Sequence, residues 1–146
     1  MNQRFHLLVR GILIENNKIL LAKSVYSDFY FLPGGHHEVG ETLVSTLKRE
    51  FLEETNTEIN VKKYLGVVEH KWISAETTEY EINHVYLIDR NIVNIEIISQ
   101  EENLIFEWKD ITQLSKINIQ PTPLNNLLND IIIQNENYNS FYSVSF

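Results

Sequence analysis

The segment GHHEVGETLVSTLKREFLEETNT, residues 35–57, decides how this chain is read. From Thr42 to about Thr55 its apolar residues Leu43, Val44, Leu47 and Phe51 fall in one stripe roughly 100° wide when each residue turns by about 100°. That spacing predicts an amphipathic helix over residues 42–55. Glu50, Glu53 and Glu54 stand at i, i+3 and i+4 beside the stripe, so their carboxylates are neighbours. Like charges so placed destabilise a helix by about 0.2–0.5 kcal/mol per pair, and acidic residues in its C-terminal half oppose the helix dipole. A solvated face tolerates that cost. A hard divalent cation such as Mg²⁺ or Mn²⁺, which takes oxygen ligands, would remove it. The helix alone does not choose between the two.

Outward from the helix, strand-like and helix-like patterns alternate, which predicts a mixed α/β domain. Leu7-Leu8-Val9, Ile12-Leu13-Ile14 and Ile19-Leu20-Leu21-Ala22 read as strands around a turn at Asn16-Asn17. Tyr30-Phe31-Leu32 reads as a short strand stopped in a tight loop by Pro33-Gly34-Gly35. Val61–Ile73 and Tyr80–Ile88 are rich in β-branched and aromatic residues and are expected to pair across Ser74–Glu79. Phe106-Glu107-Trp108 reads as one more strand. A brief helix should start at Asp110, and a second helix should open at Pro123, carrying Leu124, Leu127, Leu128 and Ile131 at helical spacing.

The expected organisation is a single domain over residues 1–133 and a polar tail over 134–146. Tyr142, Val144 and Phe146 alternate in that tail, as an added edge strand would, with a homodimer contact left open. At 146 residues, 43% apolar and 11% aromatic, the chain can fill one core. Its apolar runs are far shorter than the roughly 18 residues of a membrane span, and its opening residues lack a secretory cleavage pattern, so no membrane partner and a cytoplasmic location are expected. The absence of cysteine excludes disulfides, thiolate metal sites and a cysteine nucleophile. A formal net charge of −8 opposes a nucleic-acid polymer as partner, although bound cations can invert the local sign around a small polyphosphate.

Residues 35–57 resemble the Nudix box of the MutT-like hydrolases. In that pattern a glycine is followed at fixed spacing by Glu, by Arg-Glu, by a bulky apolar residue, and by Glu-Glu before a glycine and an aliphatic residue. Here Gly35, Glu41, Arg49, Glu50, Glu53 and Glu54 stand in place. Asn56 replaces the final glycine and Thr57 the aliphatic residue, and Phe51 is aromatic where an aliphatic is commoner. Asn is the second choice for a left-handed helix cap, so Asn56 is expected to keep the turn. Phe31–Gly35 and Phe106–Trp108 also look similar to the family, extending the resemblance over most of residues 4–133.

The resemblance implies an α/β/α sandwich with a mixed central sheet and a metal-dependent hydrolase of phosphoanhydrides in nucleoside diphosphate-linked compounds, first of all nucleoside di- or triphosphates. By similarity Glu50, Glu53 and Glu54, with the carbonyl of Gly34, are the ligands of Mg²⁺ (or Mn²⁺). Arg49 and Glu41 are the supporting pair that orients Glu50. The implied reaction is in-line attack of a cation-held water on phosphorus, with Glu54, or Glu53 beside it, taking the proton. Glu101-Glu102 are the alternative source of a base, and Lys23, Gly35 and Glu102 are the expected substrate contacts. His36 and His37, adjacent on a turn, should diverge rather than form a zinc site. Trp72, Tyr80 and Tyr86 are candidates for stacking on a base, or core aromatics. A proline marking some ADP-ribose hydrolases of the family and a tyrosine marking some dinucleoside-polyphosphate hydrolases are both missing, which favours simple nucleotides. The lack of cysteine argues against the isoprenoid-diphosphate isomerase branch. A non-catalytic nucleotide sensor is the alternative function.

Overall fold

A computed structural model describes residues 1–145, so Phe146 and its place in the tail's alternation lie outside the described residues. Strand β1 (Asn2–Glu15) turns at Asn16 and Asn17 into β2 (Lys18–Ser24). Both asparagines have positive φ, 51° and 60°, the left-handed pair that a two-residue hairpin of native twist requires. The β1–β2 pairing is short, Ile14 to Ile19 and Glu15 to Lys18, after which β2 leaves to pair with β6 (Leu104–Asp110). Strands β4 (Asn60–Ser74) and β5 (Thr77–Asp89) form a long antiparallel hairpin, and β5 runs parallel to β1 from Asn2 to Leu13. The sheet order is β6-β2-β1-β5-β4-β7, with β3 (Gly34–His36) on β1 and β7 (Phe141–Ser145) at the outer edge.

Helix α1 (Leu43–Thr55) covers one face of this mixed sheet. Its buried Leu47 and Phe51 pack with Val9, Leu13, Leu20 and Ile88. Helix α2 (Pro123–Gln134) covers the other, where Leu124, Leu128 and Ile131 meet Ile12, Ile19, Leu21, Val85 and Leu87. The result is the α/β/α sandwich expected from the sequence. Thr42 caps α1, its hydroxyl accepting from the Ser45 amide at 3.0 Å while Ser45 Oγ accepts from the Thr42 amide at 2.8 Å. Asn56 closes the helix at φ 51°, donating its amide to Leu52 O, so it makes the left-handed turn. Among the described residues no helix is long and apolar enough to cross a membrane.

The segment around Pro33 corrects the sequence reading. Tyr30 and Phe31 make only isolated bridges, to Ile119 and Ala22, and the strand lies where a loop was expected, at Gly34–His36. Arg10 faces Gly34, Val9 faces Gly35 and Leu8 faces His36. A Cβ at Gly34 would collide with the Val9 carbonyl, so the glycines admit a backbone approach that side chains would forbid. Here they make the strand rather than end it.

The tail returns to the sheet as β7, parallel to β4 from Gly66–Phe141 to His70–Ser145. A β-bulge lies at Tyr64/Gly66, and a Cβ on Gly66, at φ 145°, would strike the Phe141 backbone. Lys63 Nζ donates to the carbonyls of Glu136 and Tyr138.

Candidate active site

Because β2 departs from β1 after two residue pairs, the sheet opens beside β1, and β3 fills the opening next to the C-terminal half of α1. Gly35 on β3 lies against Glu50 of α1 so closely that a Cβ there would overlap the carboxylate. Arg49 gathers the surrounding acids. Its Nε and Nη2 donate to Glu41 Oε1 and Oε2 at 2.5 and 3.0 Å, and Nη1 donates to Glu50 Oε1 at 3.0 Å and Glu53 Oε2 at 3.2 Å. Nη2 also holds the His36 carbonyl at 2.9 Å, tying β3 to the helix. This planar fork matches what a guanidinium does and an ammonium cannot. Hydrogen bonds from Arg49 and Thr46 hold the Glu41 carboxyl down to about 2, so it stays ionised.

Glu50 and Glu54 behave in the opposite way. Burial pushes the Glu50 carboxyl up, against the pull of Arg49. Burial, then the charge of Glu50, pushes Glu54 up to about 8. Two partly buried carboxylates thus share one helical face, Glu50 paired with Arg49 and Glu54 acted on by the charge of Arg10. Glu53 is more than half exposed and turns to Arg49. Among the described residues no three His, Asp or Glu side chains already stand at metal-ligand geometry. The donor set fits a hard cation: Glu50 and Glu54 offer oxygens on that face, with Glu53 one turn away and the Gly34 carbonyl next to Gly35.

Beneath the carboxylates lies a group that the sequence reading passed over. Arg10, on β1, donates Nε to Asn83 Oδ1 and Nη1 to Leu32 O, both at 3.3 Å, and its guanidinium lies 5.3 Å from the Phe31 ring centroid. Its Nη2 makes no hydrogen bond among the described residues. Burial lowers its pKa, and the charges of Glu81, Glu54 and Glu50 hold it up. The signal was present: a cation interrupting the apolar run Leu7-Leu8-Val9-Arg10-Gly11-Ile12 needs a reason to be there. Similarly, Glu79, Glu81 and Asn83 alternate along β5 on a face that is buried at Glu79 and Asn83.

Lys23 places Nζ 5.5 Å from the Tyr30 ring centroid, and its charge acts on Glu107. Of the Glu101-Glu102 pair, Glu101 is the one whose charge raises Glu54, in a loop pinned by the Gln100 amide to Glu54 O at 2.8 Å. Glu102 is exposed. His36 and His37 part as expected: His36 Nε2 meets His6 Nδ1 at 3.0 Å, and His37 Nδ1 meets Thr46 Oγ1 at 2.8 Å. Of the aromatics, Trp72 lines a cleft of about 430 Å³ beside Arg10, whereas Tyr86 packs with Tyr64 under the α1 side of the sheet.

A family profile described as the NUDIX domain matches residues 5–131. The chain belongs to the Nudix family. Among curated relatives it is similar to an ADP-ribose pyrophosphatase of Methanocaldococcus jannaschii, 32% identical over 112 residues, which are 75% of this chain and 64% of that protein. The match thus spans just under two thirds of that relative's length. The fold is similar to that of a MutT protein from Methanosarcina mazei, with TM-score 0.70 at 18% identity over 92% of this chain and 98% of that one. It is also similar to a Nudix hydrolase from Nitrosomonas europaea, with TM-score 0.69 at 18% identity over 96% and 78% of the respective chains. Within this Nudix domain, Gly35 of the box lies against Glu50, Glu50 pairs with Arg49, and Arg49 pairs with Glu41.

Proposed function

We propose that this Nudix domain is a cytoplasmic, divalent-cation-dependent hydrolase that cleaves a phosphoanhydride in a nucleoside diphosphate-linked compound, with nucleoside di- and triphosphates as its first substrates. The observation that carries this reading is the pair Glu50 and Glu54, partly buried neighbours on one face of α1 whose carboxyls are raised by burial although Arg49 and Arg10 act on them. Glu50, Glu54 and Glu53, with the Gly34 carbonyl, would hold Mg²⁺ or Mn²⁺. A bound cation supplies charge neutralisation on phosphoryl oxygens and a more acidic water. Glu54 would accept the proton of the attacking water. Arg49 and Glu41 fix Glu50 and the β3 backbone, and so position rather than react. Arg10 offers its free Nη2 to the substrate's phosphate, the part first sought in Lys23.

The test is turnover of nucleoside triphosphates, dinucleoside polyphosphates, nucleotide sugars and ADP-ribose with Mg²⁺, products being identified by mass. ADP-ribose is in the panel because the curated relative carries its name. Glu54→Gln should lower kcat at least about 100-fold, within the range that general-base removal costs, and leave the fold intact. Tight nucleotide binding with no turnover of any diphosphate would replace the hydrolase by a sensor.

A further inference from the structure

We infer that the cleft beside Arg10 is a nucleobase pocket in which Glu81 selects bases bearing an exocyclic amine. The cleft, about 430 Å³, is of the size that small-molecule sites occupy. One wall is aromatic: Trp72 is stacked with His70, at 5.6 Å and 21°, and with His6, at 6.1 Å and 17°, which holds its ring in place. Phe31 comes from the segment after β2 and rests on Arg10. Phe31 and the Trp72 ring give a base apolar contact, which does not choose among bases.

The choice falls to the polar groups. His70 and Glu81 are cross-strand neighbours, and both line the cleft. Asn83 Nδ2 donates to Glu81 Oε2 at 3.0 Å, and Asn83 Oδ1 accepts from Arg10, so a hydrogen-bonded chain fixes the carboxylate. Oε1 of Glu81 accepts no hydrogen bond among the described residues. His70 Nδ1 is buried and has no hydrogen-bond partner among the described residues, a costly arrangement that a bound polar ring would relieve. A fixed carboxylate attracts the amine N–H of cytosine, adenine or guanine and repels the carbonyls of uracil and thymine. Arg10 joins this pocket to Glu50 and Glu54, so a base bound here delivers its phosphates toward the carboxylates. The proposal deepens the hydrolase reading and rests on it only for that direction.

Cytidine and uridine 5′-monophosphates differ only along the base edge in question, and neither needs a cation to bind. Their affinities are read from quenching of Trp72 fluorescence in a Trp108→Phe background. CMP should bind at least about tenfold tighter than UMP, since a site built to hydrogen-bond a donor rejects the analogue lacking it. Glu81→Gln should bring the ratio close to one, with both nucleotides still bound and the circular dichroism spectrum of the folded protein retained. Equal affinities, a CMP preference that survives Glu81→Gln, or no saturable quench with either nucleotide would each overturn the assignment. Glu81 would then be only a counter-ion to Arg10. Discrimination between CMP and UMP in a protein that turns over no diphosphate would instead sink the hydrolase reading and leave the pocket standing.

Discussion

At residue scale, Gly35 sets the position of Glu50. The absent Cβ is what lets β3 lie against the carboxylate, so Gly35→Ala must push either the strand or the helix face away. A displacement of about 1 Å at a catalytic group costs on the order of 100-fold in rate, and that is the loss of kcat expected for Gly35→Ala, with circular dichroism unchanged. Arg49 shows the same logic in charge. One guanidinium meets Glu41, Glu50 and Glu53 and the His36 carbonyl together, which offsets the repulsion between two of the three acids that crowd one turn. Spacing predicted that crowding, and the nature of the counter-charge came from contacts between Arg49 and residues up to 13 positions away.

At the scale of elements, α1 depends on its two ends. The Asn56 cap sits at φ 51°, where a non-glycine residue other than Asn or Asp is strained by about 1–2 kcal/mol. Asn56→Ala should destabilise the domain by about 1 kcal/mol in urea titrations, and Asn56→Gly should leave it unchanged or slightly more stable. β7 depends on Gly66 in a similar way. Gly66→Ala should detach the edge strand and raise hydrogen exchange in residues 141–145, leaving the amides of β1 and β5 protected. Unchanged exchange there would show that β4 can shift to admit a methyl group.

At the scale of the molecule, the loop carrying Glu101 is fastened to the far end of β1. Arg90, nearly buried, donates Nε to Glu15 Oε2 at 2.6 Å and Nη2 to Glu15 Oε1 at 2.8 Å, and Nη2 also holds the Ile95 carbonyl at 2.9 Å. These hydrogen bonds hold the Glu15 carboxyl below its usual range. The pair therefore stabilises the fold fully above the unfolded glutamate value of about 4.3, and the contribution disappears as pH falls through the lower folded value. Glu15→Gln should lower the melting temperature at pH 7 and flatten its decline below about pH 4, as read by thermal denaturation across that range. An equally steep acid decline in the variant would assign the pH dependence to other carboxylates.

The sequence by itself determined the amphipathic helix with its carboxylate triplet, the hairpin at Asn16-Asn17, the Thr42 and Asn56 ends of α1 and the α/β/α class. The helix, the hairpin and the helix ends follow from short-range periodicity and local backbone chemistry, which a linear string records, and the class followed from the resemblance carried by the box residues. Only the tertiary structure decided that Gly34-Gly35 form a strand on β1, that the charges of Glu50 and Glu54 act on Arg10, and that Glu81 and His70 share a cleft with Trp72. Those relations join residues tens of positions apart through sheet register and the early parting of β2 from β1. Register is fixed by the packing of both faces at once, which no local stretch of sequence contains.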